Sequence, residues 1–237
     1  GNTYWLASQP EYVDHQADLT GAGAEAVRTA LAAADYEPGD DGVQRHPTRG
    51  PLRLRLATIG GDPLREVAQE VLIRQFDEVG IAVSADNEPG GLFFQQGPFD
   101  PEALAASASE GSSGDAGLWD MAQFAWAGGP WPGAQSGVYR NGSPGNPYGF
   151  SNPEFEVAAF ECDAVVDDTE RAGCYNDLDR FVTTLDNGDD GLFMLPLFQR
   201  PVVVAHRSDR VEGLPAVVGS PGVGPLATIV DLAMVGG

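Results

Sequence analysis

Leu52-Arg53-Leu54-Arg55-Leu56-Ala57 alternates apolar and polar side chains with period two, which predicts a β-strand with one polar face. Asp62 then stands where a helix N-cap belongs, and Pro63 suits the first helical position, where no backbone N–H is needed. Leu64, Val67, Ala68, Val71, Leu72, Phe76 and Val79 fall on one helical stripe, which is expected to face the core. Gly80 supplies a left-handed stop, and Ile81-Ala82-Val83-Ser84-Ala85 reads as a second strand. Strand, helix, strand over 52–85 is a βαβ unit, so the two strands should be parallel with a right-handed crossover.

Upstream, Tyr4-Trp5-Leu6 opens a polar loop containing Pro10. Ala24–Ala34 reads as an Ala-rich helix ending before the turn Glu37-Pro38-Gly39-Asp40-Asp41-Gly42. Downstream, a helix is expected over Pro101–Ala108, then a Gly/Ser loop, then an apolar strand over Leu118–Trp126. That strand runs into Ala127-Gly128-Gly129-Pro130-Trp131-Pro132-Gly133. Residues 136–152, rich in Gly, Asn, Pro and Tyr, read as loop. Asn152-Pro153 starts a helix facing inward with Phe155, Ala158, Ala159 and Cys162; Asp167 or Asp168 starts another, with Tyr175, Leu178, Val182 and Leu185 on its stripe. The pair predicts an antiparallel hairpin over 153–186. Leu192–Phe198, Val202–His206 and Thr228–Met234 read as strands. No internal repeat is visible. The expected class is therefore α/β: a mixed sheet flanked by helices, with a helical lead-in over 1–50 and a main core over 51–237.

Composition narrows the function. The 237 residues hold 42% hydrophobic and 20% charged side chains, ordinary for a globular chain, with no stretch resembling a membrane span or a signal peptide. Thirteen basic residues stand against 35 acidic ones, a formal charge of −22. Such a surface repels phosphate backbones and anionic lipid, so nucleic acid is not an expected partner. Every basic residue is Arg, which excludes a P-loop lysine, a Schiff-base lysine and a Ser-Lys dyad. The bias to Arg, Asp, Ala and Gly resembles high-GC coding, as in actinobacteria. Cys162 and Cys174 cannot build a four-ligand zinc site. In a hairpin they come within bridging distance, so a disulfide in an exported protein stands against two buried free thiols.

No catalytic constellation emerges. His15, His46 and His206 are isolated, no Gly-x-Ser-x-Gly elbow occurs, and Gly219–Gly224 does not lie between a strand and a helix. Asp186-Asn187-Gly188-Asp189-Asp190-Gly191 lacks the register and terminal Glu of a calcium loop, and Asp40-Asp41 reads as a solvated turn. Neither a cofactor nor a metal is expected. A binding site reads better: glycine lets a ligand approach the backbone, and tryptophan offers a flat apolar wall with one donor. Open α/β sheets place their crevice at the carboxyl ends of the strands, where the 127–133 loop falls. Trp119 and Trp126 read equally as core; Trp131, in the loop, is the stronger wall.

The order of these pieces resembles the extracellular solute-binding protein family 5, the peptide and nickel binders of ABC importers. The resembling blocks are Ala30-Leu31 to Asp35-Tyr36 with Asp41-Gly42-Val43, the Leu52 strand, and Phe76-Asp77-Glu78-Val79-Gly80-Ile81-Ala82-Val83. They continue with Trp119–Trp126, Asn146-Pro147-Tyr148-Gly149-Phe150-Ser151-Asn152-Pro153, the stretch with Asp168, Arg171 and Tyr175, and Leu195-Pro196-Leu197-Phe198. The resemblance implies a single C-terminal ligand-binding lobe over 1–237. An N-terminal lobe, a signal and a lipid anchor would lie on other sequence. It implies hinge closure around a peptide or peptide-like solute, ABC permease subunits as partners, an extracytoplasmic location, and no enzyme activity. It places the ligand at Trp126, Ala127, Gly128, Gly129 and Trp131, with Asn146 and Tyr148 as candidate polar contacts or turn residues. Oligopeptide binders of this family carry an Asp for the peptide's amino terminus where Gly128 or Gly129 stands here, which points to a less charged or more apolar ligand. A sensor or adaptor of the same fold, uncoupled from transport, is the alternative.

Overall fold

The computed structural model describes residues 1–17, 21–94, 119–128, 131–146, 149–185, 192–199, 207, 209–212 and 233–234. The chain divides into two compact units, one of residues 21–125 with 147–149, the other of 1–20, 126–146 and 150–237.

The first unit is built on the βαβ element. β4 (Arg53–Gly60) pairs in parallel with β5 (Ala82–Pro89) on one side and with β6 (Met121–Gln123) on the other, giving the order β5-β4-β6. Between β4 and β5 runs α2 (Pro63–Glu78), capped by the Asp62 side chain accepting from the Leu64 and Arg65 N–H groups, with Pro63 in the first turn. It ends at Gly80, whose φ of +81° is left-handed, as the sequence predicts. β4 departs from a one-sided strand: Leu56, Ala57 and Thr58 are all buried, because the strand is central and its second half is covered on both faces. On one face Ala57 and Ile59 pack with Phe93, Phe94, Trp119, Ala122 and Phe124.

Other expectations change in this unit. The buried residue of α2 is Gln69, whose amide donates to the Leu56 carbonyl at 2.7 Å, while Leu64, Val67 and Val71 are exposed. The apolar residues of α2 cover so much of its circumference that their spacing identifies a helix without choosing the face. Among its described residues the lead-in is helical only over α1 (Gly23–Ala33). It is followed by a small antiparallel sheet of β1 (Glu37–Pro38), β2 (Gln44–His46) and β3 (Gly50–Pro51), in that order. Strands this short have no readable period. β5 runs on to Pro89 and leads into the short α3 (Gly90–Phe93), whereas β6 is shorter than the apolar run containing it. Pro101–Ala108 and Leu118 lie outside the described residues.

The second unit centres on α5 (Pro153–Ala164) and α6 (Asp168–Thr183), capped by Asn152 and Asp167 as their sequences predict. Phe155, Ala159 and Cys162 of α5 and Tyr175, Leu178 and Val182 of α6 are buried. Cys162 and Cys174 are bonded, with Cα atoms 5.5 Å apart. Residues 137–146 and 149–152 carry no helix or strand but are not a surface loop. Tyr139 is buried against Tyr4, Phe150 and Phe155, with ring centroids 5.7–6.2 Å apart. A short helix, α4 (Gly133–Ser136), precedes them.

Residues 1–16 lie along α6, fastened by polar side chains one helical turn apart. Asn176 donates to the Glu11 carbonyl and accepts from Asn2, Asp179 accepts from Thr3, and the Thr183 carbonyl accepts from Gln16. The strand expected over Leu192–Phe198 is absent: 192–199 form no ladder. Met194 N–H donates to the Val182 carbonyl, and Gln199 bonds the backbone of Ala7 and Trp5. Pro196 removes one donor from that run, and its partners are a helix end and the N-terminal segment. Val202–His206 lie outside the described residues. Of Thr228–Met234 only β8 (Ala233–Met234) is described, antiparallel to β7 (Val211–Glu212).

Candidate functional site

The loop singled out by sequence is held from beneath. Gln135, on α4 and buried, donates its amide N–H to the Ala127 carbonyl at 3.0 Å. Leu6 lies under Gly128 so closely that a Cβ there would sit 2.6 Å from Leu6 Cδ2, so the close approach requires glycine or a moved leucine. On this support Trp126 is 42% and Trp131 69% exposed, well above what core tryptophans show. Both indoles therefore present much of their surface to solvent. Gly129 and Pro130 lie outside the described residues.

The far end of the loop rests on a charged cluster. Beneath Gly133, Asp163 of α5 accepts from the Tyr175 hydroxyl and pairs with Arg140, whose guanidinium carbon stands 4.5 Å above the Phe160 ring. Burial, then the bond to Asp163, pushes the Tyr175 phenol well above the usual tyrosine range, so it stays a neutral donor. Arg140 joins α5 to the irregular segment, and a Cβ at Gly133 would stand 3.1 Å from Asp163 Oδ1.

Asn146 is placed differently. It is buried, with its amide nitrogen 2.7–3.4 Å from the carbonyls of Phe150, Arg140 and Tyr139, and its oxygen accepting from the Phe150 N–H. Its polar atoms are engaged by its own loop, the turn role that the sequence left open. Tyr148 lies outside the described residues. Sequence reading missed Gln135, Leu6 and the Asp163–Tyr175–Arg140 cluster. Gln135 is nine residues from Trp126 and has no motif of its own; Leu6 meets Gly128 only through the fold.

Among the described residues no group of three or more His, Cys, Asp or Glu side chains is arranged to hold a metal, and no helix is long and apolar enough to cross a membrane. Asp186–Gly191 lies outside those residues.

No family model matches the chain, and no curated protein does. Solved structures do. The periplasmic EDTA-binding protein EppA superposes with a TM-score of 0.59 at 18% identity, over 76% of this chain and 31% of that one. The oligopeptide-binding protein of Thermus thermophilus, complexed with a pentapeptide, gives 0.56 at 19% identity, over 76% and 31%. NikA from Brucella suis, in complex with Fe(III)-EDTA, gives 0.55 at 17% identity, over 76% and 33%. The chain therefore has the α/β fold of the periplasmic solute-binding proteins, and spans about a third of the length of those it matches.

Proposed function

We propose that the chain captures a solute outside the cytoplasm for an ABC importer, as the C-terminal ligand lobe of a larger two-lobed, lipid-anchored protein. The ligand is a peptide or peptide-like solute, held between this lobe and an N-terminal lobe, and the closed form docks on the permease subunits. One observation carries the reading: the chain shares its fold with proteins solved as binders of EDTA, a pentapeptide and Fe(III)-EDTA, and it exposes Trp126 and Trp131 on a braced glycine loop. An exposed pair of large rings on backbone held by Gln135 is costly to leave in water and ready-made as a ligand wall.

Trp126, Ala127, Gly128, Gly129 and Trp131 form the wall in this reading. With Gly128 and Gly129 in place of a carboxylate, the loop favours a solute without a buried ammonium group. Binding, not catalysis, is the activity. In calorimetry on the full-length protein with short peptides, Ni(II)–histidine and Fe(III)–EDTA, one class should bind. Trp131→Ala should weaken that binding about tenfold, the loss of roughly one well-buried aromatic contact. Binding unaffected by Trp131→Ala and by Trp126→Ala would remove this loop from the site.

A further inference from the structure

The outward face of α5 repeats, without an occupant, an arrangement that the same helix already fills. On one side of the face Phe160 lies under the guanidinium of Arg140, 4.5 Å from its ring centroid, while Asp163, one turn on, pairs with that guanidinium. An apolar surface with a carboxylate beside it thus receives an arginine. On the other side Val157, 58% exposed, stands between Glu154 and Glu161, three residues before it and four after. Pro153, Glu154, Val157, Ala158 and Glu161 lie together on this open side of the helix. Glu154 and Glu161 take part in no ion pair among the described residues, whereas Glu156 accepts from the Asn141 N–H and Asp163 is engaged by Arg140.

Phe160 is 62% exposed, so two large apolar side chains stand at the centre of the outward face. Carboxylates flank them on both sides, and α5 carries no basic residue. Such a face carries two costs: Glu154 and Glu161 have no cation on their own helix to balance them, and exposed apolar side chains gain nothing from folding. Both costs become gains against a partner with the opposite pattern, an apolar row flanked by cations.

We propose that the outward face of α5 docks a cationic amphipathic helix of a protein partner, with an apolar side chain on Val157 and Phe160 and Arg or Lys side chains on Glu154 and Glu161. A second copy of this chain would bring acidic faces together, and an anionic membrane would be repelled by the same carboxylates, so a basic protein segment is the occupant that fits. The surface does not include the tryptophans, although Arg140 and Asp163 at its edge also lie beneath the far end of their loop.

The probe is a labelled peptide of about 16 residues with Leu at i, i+3, i+4 and i+7 and Arg on both flanks, followed by fluorescence anisotropy on the intact protein at about 0.15 M salt. Saturable one-to-one binding is expected. Glu154→Gln with Glu161→Gln, and separately Val157→Ser with Phe160→Ser, should each weaken it about tenfold. Glu70→Gln with Glu78→Gln removes the same charge from α2 and should change it less than about twofold. Val157→Arg alone, which inverts the local charge at an exposed site, should reproduce the loss and guards against misfolding of the double variant. The proposal falls if binding does not saturate, if the α2 pair weakens the peptide equally, or if the Val157 and Phe160 changes have no effect. It falls also if sedimentation shows self-association that these substitutions abolish, since the occupant is then a second copy.

Discussion

Replacing Asp179 tests how the N-terminal segment is fastened to α6. Its carboxylate is fully buried; Oδ1 accepts the Thr3 N–H at 2.6 Å and the Thr3 hydroxyl at 2.7 Å, and Oδ2 faces His15 Nε2 at 3.6 Å and Thr183 Oγ1 at 3.4 Å. Asp179→Ala strands both Thr3 donors and opens a void, a loss of about 2–4 kcal/mol at about 1–3 per buried unsatisfied group. Asp179→Asn keeps the oxygen that accepts from Thr3 and turns an amide N–H toward Thr183 Oγ1 and His15, so it should cost less than about 1 kcal/mol at neutral pH.

The pH dependence follows from the charge. Burial raises the Asp179 pKa above the usual carboxylate range, although the Thr3 bonds and then His15 pull it down. A carboxyl with a raised folded-state pKa contributes stability that is full below its unfolded pKa and lost as pH rises through the folded value. The advantage of wild type over Asp179→Asn should therefore shrink between about pH 4 and pH 7, by about 1.4 kcal/mol for each unit of elevation. Urea unfolding of the three proteins at both pH values reads this directly. An Asn variant as unstable as the Ala variant, or a wild-type advantage that grows with pH, would refute the reasoning.

Gly80→Ala should lower stability by about 2 kcal/mol or more, because φ is +81° and the new Cβ would meet the Gly42 carbonyl oxygen at 2.7 Å; an unchanged melting midpoint would contradict this. Reduction and alkylation should add two alkyl groups to a protein that resists alkylation when unreduced, and Cys162→Ser with Cys174→Ser should cost about 3 kcal/mol for a closed loop of this length. Gln135→Ala removes the 3.0 Å bond to the Ala127 carbonyl and should weaken ligand binding about three- to tenfold while leaving the melting midpoint within a few degrees. Equal affinity by calorimetry would show that the loop holds itself.

The parts legible in the sequence were those fixed locally. Asp62, Pro63 and Gly80 bound α2 through groups within a turn of the helix ends, and Asn152 and Asp167 cap α5 and α6 the same way. The parallel pairing of β4 and β5 follows from the helix between them. What the pattern could not decide was orientation. Gln69 takes the buried place on α2 because its amide meets the Leu56 carbonyl, a contact across 13 residues that no period reveals. The run 192–199 is apolar enough for a strand, but its Met194 N–H is taken by the Val182 carbonyl, and its Gln199 side chain bonds the backbone of Trp5 and Ala7. At the candidate site the glycines and tryptophans were visible in order, whereas Leu6, Gln135 and Asp163 reach the loop from elsewhere in the chain.

The central claim is that the Trp126–Trp131 loop is the wall of a solute-capture site. Native mass spectrometry of the full-length protein, purified without refolding, tests it most directly. A discrete adduct of small-solute mass on the wild type, much reduced in Trp131→Ala, is the predicted result. A wild-type protein free of any adduct that also gains no bound mass from peptides, Ni(II)–histidine or Fe(III)–EDTA would contradict it.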